Sequence, residues 1–336
     1  MRIRSLILGT LVSVCALALT SACGGSDNGN GSGGSSSGGA GGNGGTGGSG
    51  TAGTGGTSGS GDCTAVAKAV CNKLQQCSST LIKLTYGDVQ TCVARATITC
   101  KSGTTAPGAS VTPAQLGACT TAFSNLDCAD LARGIQAPSE CSIAGSLVNG
   151  KACGSNDQCK SAYCGVSNGI CGACADRAAA GKACTSNDGC QSGLVCNSKS
   201  VCAQPVDGGG TCTDARDCKA GLVCASGTCA QPVGAGKACK KGECDSLAGL
   251  FCNPSTNVCE SLQVADSGQP CGLVSGGFVA CGAGGHCAIP SGQVQGTCQA
   301  AAADGDTCDA QKGPTCLQPA LCVNGKCTLG DPASCK

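Results

Sequence analysis

The chain has 336 residues, 36 of them cysteine and 57 glycine, against no tryptophan, one methionine, two tyrosines and three phenylalanines. Ala, Val, Leu and Cys therefore carry most of its 41% apolar fraction, and side chains this small cannot fill one conventional core. The formal charge is +1; with neither a basic stripe nor an aromatic platform to meet phosphates or stack bases, nucleic acid is excluded as an expected partner.

Residues 1–22 read as an export signal: Arg2 and Arg4, an uncharged apolar run from Leu6 to Leu19, then small residues leading into Cys23. The run is too short for a stop-transfer span. Leu19-Thr20-Ser21-Ala22-Cys23 resembles the bacterial lipobox, with Thr20 where that family more often has Leu. The resemblance implies cleavage before Cys23 and a lipid on its sulfur, so that the membrane is a partner through this residue. Cys15 is a poorer acceptor, because Val14 is bulky and cleavage there would cut the apolar run short. Ordinary secretory cleavage, leaving Cys23 a thiol, is the other alternative. Gly24 in place of an acidic residue implies delivery to the outer membrane or cell surface.

Residues 23–61 form a tether beginning at the lipidated cysteine. From 24 onward it is Gly, Ser, Thr, Asn and Ala with one charge, Asp27, too little apolar surface to offset chain entropy. As a flexible coil its root-mean-square span is roughly 30 to 40 Å, and fully stretched it exceeds ~120 Å.

With Cys15 removed and Cys23 lipidated, 34 of the 36 cysteines remain, an even number that reads as up to 17 disulfides in an oxidising compartment. Without Arg2 and Arg4 the basic residues number 19 against 20 acidic, a net charge of −1. The expected fold class is small disulfide-rich modules: a disulfide-stapled α-helical domain followed by an array of short β-finger repeats.

The helical domain spans 62–144. Asp62 can cap a helix with Cys63, Val66, Val70, Leu74 and Cys77 on one stripe. A second helix is expected after Asp88, with Val89, Cys92, Val93, Ala96 and Cys100 on one face. Thr112, Pro113 and Gln115 make a capping box for a third, which carries Leu116, Cys119 and Phe123. Eight cysteines (Cys63, Cys71, Cys77, Cys92, Cys100, Cys119, Cys128, Cys141) close evenly within the region, in one of about 105 pairings.

Residues 145–336 form a repeat array of about six units with a period near 27 to 37 residues. The clearest quartets are Cys184, Cys190, Cys196, Cys202 and Cys212, Cys218, Cys224, Cys229. Looser copies are Cys153, Cys159, Cys164, Cys171; Cys239, Cys244, Cys252, Cys259; Cys271, Cys281, Cys287, Cys298; and Cys308, Cys316, Cys322, Cys327. Each unit is too small to bury a face of its own, so internal bridges and neighbouring units must define it. Ser-Gly between Cys224 and Cys229, and Asn-Gly between Cys322 and Cys327, are two-residue hairpin signals. First-to-third and second-to-fourth bonding is favoured, with the other two schemes open. This count leaves Cys174 and Cys335 over, and predicts a bond between them that brings the ends of the array together.

In the C-x5-C-x-[SA]-G-L-x-C-x4–5-C pattern at 184–202 and 212–229, the units resemble the N-terminal cysteine-rich domain of Dickkopf-type secreted proteins. The order of lipobox, Gly-rich tether, eight-cysteine helical region and terminal repeats is similar to a group of predicted surface lipoproteins abundant in myxobacteria. The spacing drifts where the Cys244–Cys252 and Cys271–Cys281 gaps widen to seven and nine residues. The resemblance implies an extracellular, non-catalytic binding module whose partner is a protein or glycan, without the Wnt-antagonist role of Dickkopf proteins.

Catalytic signals are sparse. His286 is the sole histidine, with no orienting partner indicated. Cys171-Gly-Ala-Cys174 is the one C-x-x-C, but it lies between repeats and not after a strand of a βαβ unit. Zinc binding would want paired C-x-x-C motifs, and Asp157, Asp188, Asp214 and Asp217 lack the alternation of a calcium loop and read as solvated faces. No cofactor and no enzymatic activity are expected. The competing expectations are a structural component of the envelope or extracellular matrix and, behind that, a thiol redox or metal-handling protein.

Overall fold

The computed structural model describes residues 62–336 apart from 133–136, 169 and 276. The signal, Cys15, the lipidation residue Cys23 and the tether lie outside the described residues.

Local sequence chemistry places the first helices. Asp62 accepts the Ala65 N–H at 2.7 Å and opens α1 (Cys63–Cys77). Ser78 then closes α1 by donating its N–H to the Leu74 carbonyl, and its hydroxyl accepts from the Leu81 N–H to start α2 (Ser79–Thr85). This short second helix is not signalled by the hydrophobic pattern. Asp88 caps α3 (Val89–Thr104) through the Thr91 N–H at 2.7 Å. The Thr112–Gln115 capping box forms as the sequence predicts: the Gln115 N–H reaches the Thr112 hydroxyl and the Thr112 N–H reaches Gln115 Oε1 at 2.9 Å, ahead of α4 (Pro113–Asn125). α5 (Cys128–Ala132) follows.

These helices share one small core, in which Ala67, Val70, Leu74, Ile82, Tyr86, Phe123 and Leu131 are buried. The eight cysteines pair among themselves as expected: Cys63–Cys100 and Cys71–Cys92 bind α1 to α3, Cys77–Cys128 binds α1 to α5, and Cys119–Cys141 binds α4 to the 3₁₀ turn Ser139–Cys141.

The array consists of small disulfide-rich modules. Unit 2 is the hairpin β4–β5 (Val195–Cys196, Cys202–Ala203) and unit 3 is β6–β7 (Val223–Ala225, Thr228–Ala230). Unit 4 is β8–β9 (Leu250–Asn253, Val258–Ser261) and unit 6 is β15–β16 (Leu321–Val323, Lys326–Thr328). Ser226-Gly227 and Asn324-Gly325 both sit at positive φ, as a two-residue turn matching strand twist requires. Unit 1 is three-stranded, β1 (Ala152–Cys153), β2 (Cys164–Asn168) and β3 (Cys171–Cys174), in the order β1-β3-β2.

Unit 5 is larger than the short finger expected. Its widened first gap folds as a hairpin of its own, β11 (Pro270–Val274) and β12 (Gly277–Cys281), flanked by β10 (Gln263–Ala265), β13 (His286–Ala288) and β14 (Gln295–Gln299). The five strands run in the order β10-β12-β11-β14-β13. Drift in cysteine spacing thus marks an insertion, while the quartet itself stays intact.

In all six units the first cysteine bonds the third and the second bonds the fourth. The third and fourth cysteines face each other across the hairpin in register without bonding. The sulfurs stack into a minute core with one to three apolar side chains, and in every unit one of these, Leu147, Ala178, Val206, Val233, Ala265 or Ala302, stands six residues before the first cysteine. Three residues before that cysteine stands a glycine at φ between 73° and 86°. Its N–H donates to the carbonyl of the fourth cysteine at 2.7 to 2.8 Å in every unit.

That pattern corrects one assignment. Gly150 donates to Cys174, so the fourth cysteine of unit 1 is Cys174, bonded to Cys159, and Cys171 is the residue left over. The expected Cys174–Cys335 bond is replaced by Cys171–Cys335. The reason is strand geometry: residues three apart on β3 point to opposite faces, so buried Cys174 meets the sulfur core while half-buried Cys171 faces outward. The ends of the array are joined nonetheless.

Candidate functional site

The array docks head to tail and wraps around the helices. The units join through short polar latches. Asn156 Nδ2 donates to Asp188 Oδ2 at 2.9 Å between units 1 and 2. Arg177, from the segment between those units, donates to the Asp188 carbonyl and carboxylate while stacking 5.5 Å from the Tyr163 ring centre. Between units 2 and 3, the Ser198 N–H and hydroxyl both donate to the Asp217 carboxylate at 2.9 and 3.0 Å. Lys240 reaches Ser226 between units 3 and 4, the Phe251 and Phe278 rings meet between units 4 and 5, and Thr315 donates to the Gly284 carbonyl between units 5 and 6.

Contacts inward tie the rim to the helical hub. Gln158 donates to the Pro107 carbonyl and Ser146 to Gly108. Gly221 lies against Ala129 and Gly249 against Thr80, while the Ala283 and Gly284 N–H groups donate to Lys83 and Leu84 at the end of α2. The firmest contact is Arg95 on α3, which was not signalled by the sequence. Its guanidinium grips both Asp304 oxygens at 2.6 and 2.7 Å and donates to the Leu317 and Gln318 carbonyls of unit 6.

The acidic loop residues are structural, against the expectation that they face solvent freely. Asp214 and Asp217 cap the 3₁₀ turn Ala215–Asp217. Partial burial pushes Asp217 upward, but hydrogen bonds from the Ser198, Thr213 and Asp214 backbone and the Ser198 hydroxyl outweigh it and bring the carboxyl down to about 2. Asp157 is the opposite case: beside Gly103 at the end of α3, burial alone pushes it up to about 6.

His286, on β13, packs against Gly313 at the junction of units 5 and 6, and burial lowers its pKa despite the opposing charge of Asp309. Cys171 and Cys174 bond to different partners, so this C-x-x-C is not a dithiol pair. Sulfurs such as those of Cys153, Cys159 and Cys174 lie within 4.8 Å of one another, but each is already spent in a disulfide and offers no thiolate to a metal.

What remains outward is polar loop. Of the five Phe and Tyr side chains, Tyr86 and Phe123 are buried in the hub, while Tyr163, beneath Arg177, and Phe251, against Phe278, are half-buried. The exposed large apolar residues, Ile98, Val148, Ile289 and Val294, are few. A shallow groove between α1 and α3 is lined by Thr64, Lys68, Asn72, Val89, Val93 and Thr97 among others. Among the described residues no helix is long and apolar enough to cross a membrane. Compared with protein-family models, curated proteins and solved structures, the chain matches none of them.

Proposed function

We propose that this chain is a surface lipoprotein, lipidated at Cys23 and held on a flexible tether, whose closed hub and rim form a non-enzymatic module that presents repeat loops to a protein partner. The observation that carries the reading is the closure of the cysteine count. Every cysteine from 63 to 335 is bonded, in 17 bridges, leaving only Cys15 and Cys23 outside them. Such saturation supports an oxidising compartment, and with Cys15 inside the export signal it leaves one sulfur for a lipid. The non-enzymatic part rests on engaged chemistry, since the sole histidine packs between units and the thiols are oxidised. Of the two expected ligand classes, protein is favoured over glycan, because none of the five Phe and Tyr side chains is in the exposed class that would offer a sugar ring an open platform.

Metabolic labelling with a radiolabelled or alkyne fatty acid tests the anchor. The wild-type chain and Cys15→Ser take the label and partition into detergent, whereas Cys23→Ser loses the label and appears in the aqueous fraction. Label retained by Cys23→Ser refutes lipidation there. Affinity capture with residues 62–336 then addresses the partner: a specific, saturable protein supports the binding role, and none across envelope fractions favours a structural component.

A further inference from the structure

The six units close their own bridges, and one bond stands apart from that scheme. Cys171–Cys335 joins unit 1 to the last residues of the chain across a separation of 164, the longest of any bridge among the described residues. The segment it secures is slight. Beyond β16, the Asp331 side chain caps a single 3₁₀ turn, Pro332–Ser334, and Pro332 is buried against Gly154 of unit 1. Gln158 is shared between the two contacts, donating to the hub at Pro107 and at 3.5 Å to the Pro332 carbonyl.

Accessibility separates this bond from the others in the array. Each bridge inside a unit contains at least one buried cysteine, whereas Cys171 and Cys335 are both only half-buried. Thiol attack on a disulfide needs access to a sulfur and an exit for the leaving thiolate. Breaking this bond also disturbs no sulfur core, because the quartet of unit 1 is complete without it.

We infer that Cys171–Cys335 is a reducible clasp: a dithiol reductant opens it ahead of the unit bridges, releasing the C-terminal segment from its seat on unit 1 and uncovering Gly154 and Gln158. The chemistry balances as an exchange. A reductant thiolate attacks one sulfur, forming a mixed disulfide and expelling the other cysteine as thiolate; the second reductant thiol then closes its own disulfide and frees the first cysteine. Two electrons and two protons pass from the dithiol to Cys171 and Cys335, and the reductant leaves as a disulfide. Arg95 still holds unit 6 to the hub afterwards, so the clasp governs the seat and its tail while the rim stays in place.

The test is graded reduction of the native full-length chain with dithiothreitol, followed by alkylation and peptide mapping. Cys171 and Cys335 are expected to become alkylated at a dithiothreitol concentration at least about tenfold below that needed for any unit cysteine. At that point hydrogen exchange is expected to quicken at Ala333 and Ser334 and in the 154–160 segment, and to stay unchanged in units 2 and 3. Unit cysteines reacting together with or before this pair would overturn the clasp, as would unchanged exchange at the tail after selective opening. The double variant Cys171→Ser with Cys335→Ser should reproduce the open exchange pattern without reductant; if it fails to fold, graded reduction of the wild-type chain still decides.

Discussion

Asp157 and Asp217 show how one residue type, recurring in equivalent loops, is put to opposite use by its surroundings. For Asp217 the folded pKa of about 2 lies below the unfolded value near 3.8, so its stabilisation is present above that value and is lost as pH falls through about 2. Asp157, raised to about 6, acts with the reverse sign. Its stabilising effect is full below the unfolded pKa and disappears as pH rises from about 4 to about 6, so at neutral pH the ionised carboxylate is a cost. Asp217→Asn is therefore expected to destabilise by about 1 kcal/mol at pH 7, after allowance for screening at a partly exposed site. Asp157→Asn is expected to stabilise on the order of 1 to 2 kcal/mol at pH 7. Both effects should shrink on acidification, the Asp157 effect already by about pH 4, as followed by thermal denaturation across pH under non-reducing conditions.

At the scale of the element, a unit is held by four sulfurs, one to three apolar side chains and one turn. The glycine three residues before the first cysteine is required by its positive φ and not by crowding: Gly181, at 82°, has nothing within 4 Å of where a Cβ would sit. Gly181→Ala should cost about 1 kcal/mol through left-handed strain alone. Gly234, equally open but outside the left-handed region, is the contrast, and Gly234→Ala should be neutral or stabilising by about 0.5 kcal/mol. Melting temperatures of the two variants, with the disulfides kept intact, check the pair. Much at this scale was legible from local chemistry: the Asp62, Asp88 and Thr112 caps, the turn dipeptides and the first-to-third, second-to-fourth scheme. The short α2 was not, because Ser78 both ends one helix and starts the next, and a continuous apolar stripe conceals the break. The recurrent glycine and its apolar neighbour were visible in the sequence, and aligning the units on them would have identified Cys174 as a fourth cysteine.

For the whole molecule, closure around the helices replaces a large core. Arg95 is its main polar fastening: the side chain is 11% exposed and its partner Asp304 33%, so its geometry is guarded from water on one side only. Arg95→Ala should cost about 2 kcal/mol, less than for a fully buried pair because Asp304 regains water. Lysine should not rescue it, since a point charge cannot reproduce the bidentate grip together with the two carbonyl contacts. Hydrogen exchange is expected to quicken in unit 6 and at α3 while units 2 and 3 remain protected; uniform loosening of all units would contradict a local fastening.

The modules follow from local chemistry in the chain: cysteine number and spacing, caps and turn dipeptides act over a few residues, and their geometry follows from backbone sterics and local hydrogen bonding. The chain also sets the even count beyond Cys23 that supports a lipid there. Which cysteine of the 171–174 pair joins the sulfur core, and the closure of the array on the hub through Arg95, were set by the packed fold. Those outcomes depend on which face of a strand a residue occupies and on what lies opposite it, and contacts between residues more than 150 positions apart leave no periodic trace in the chain.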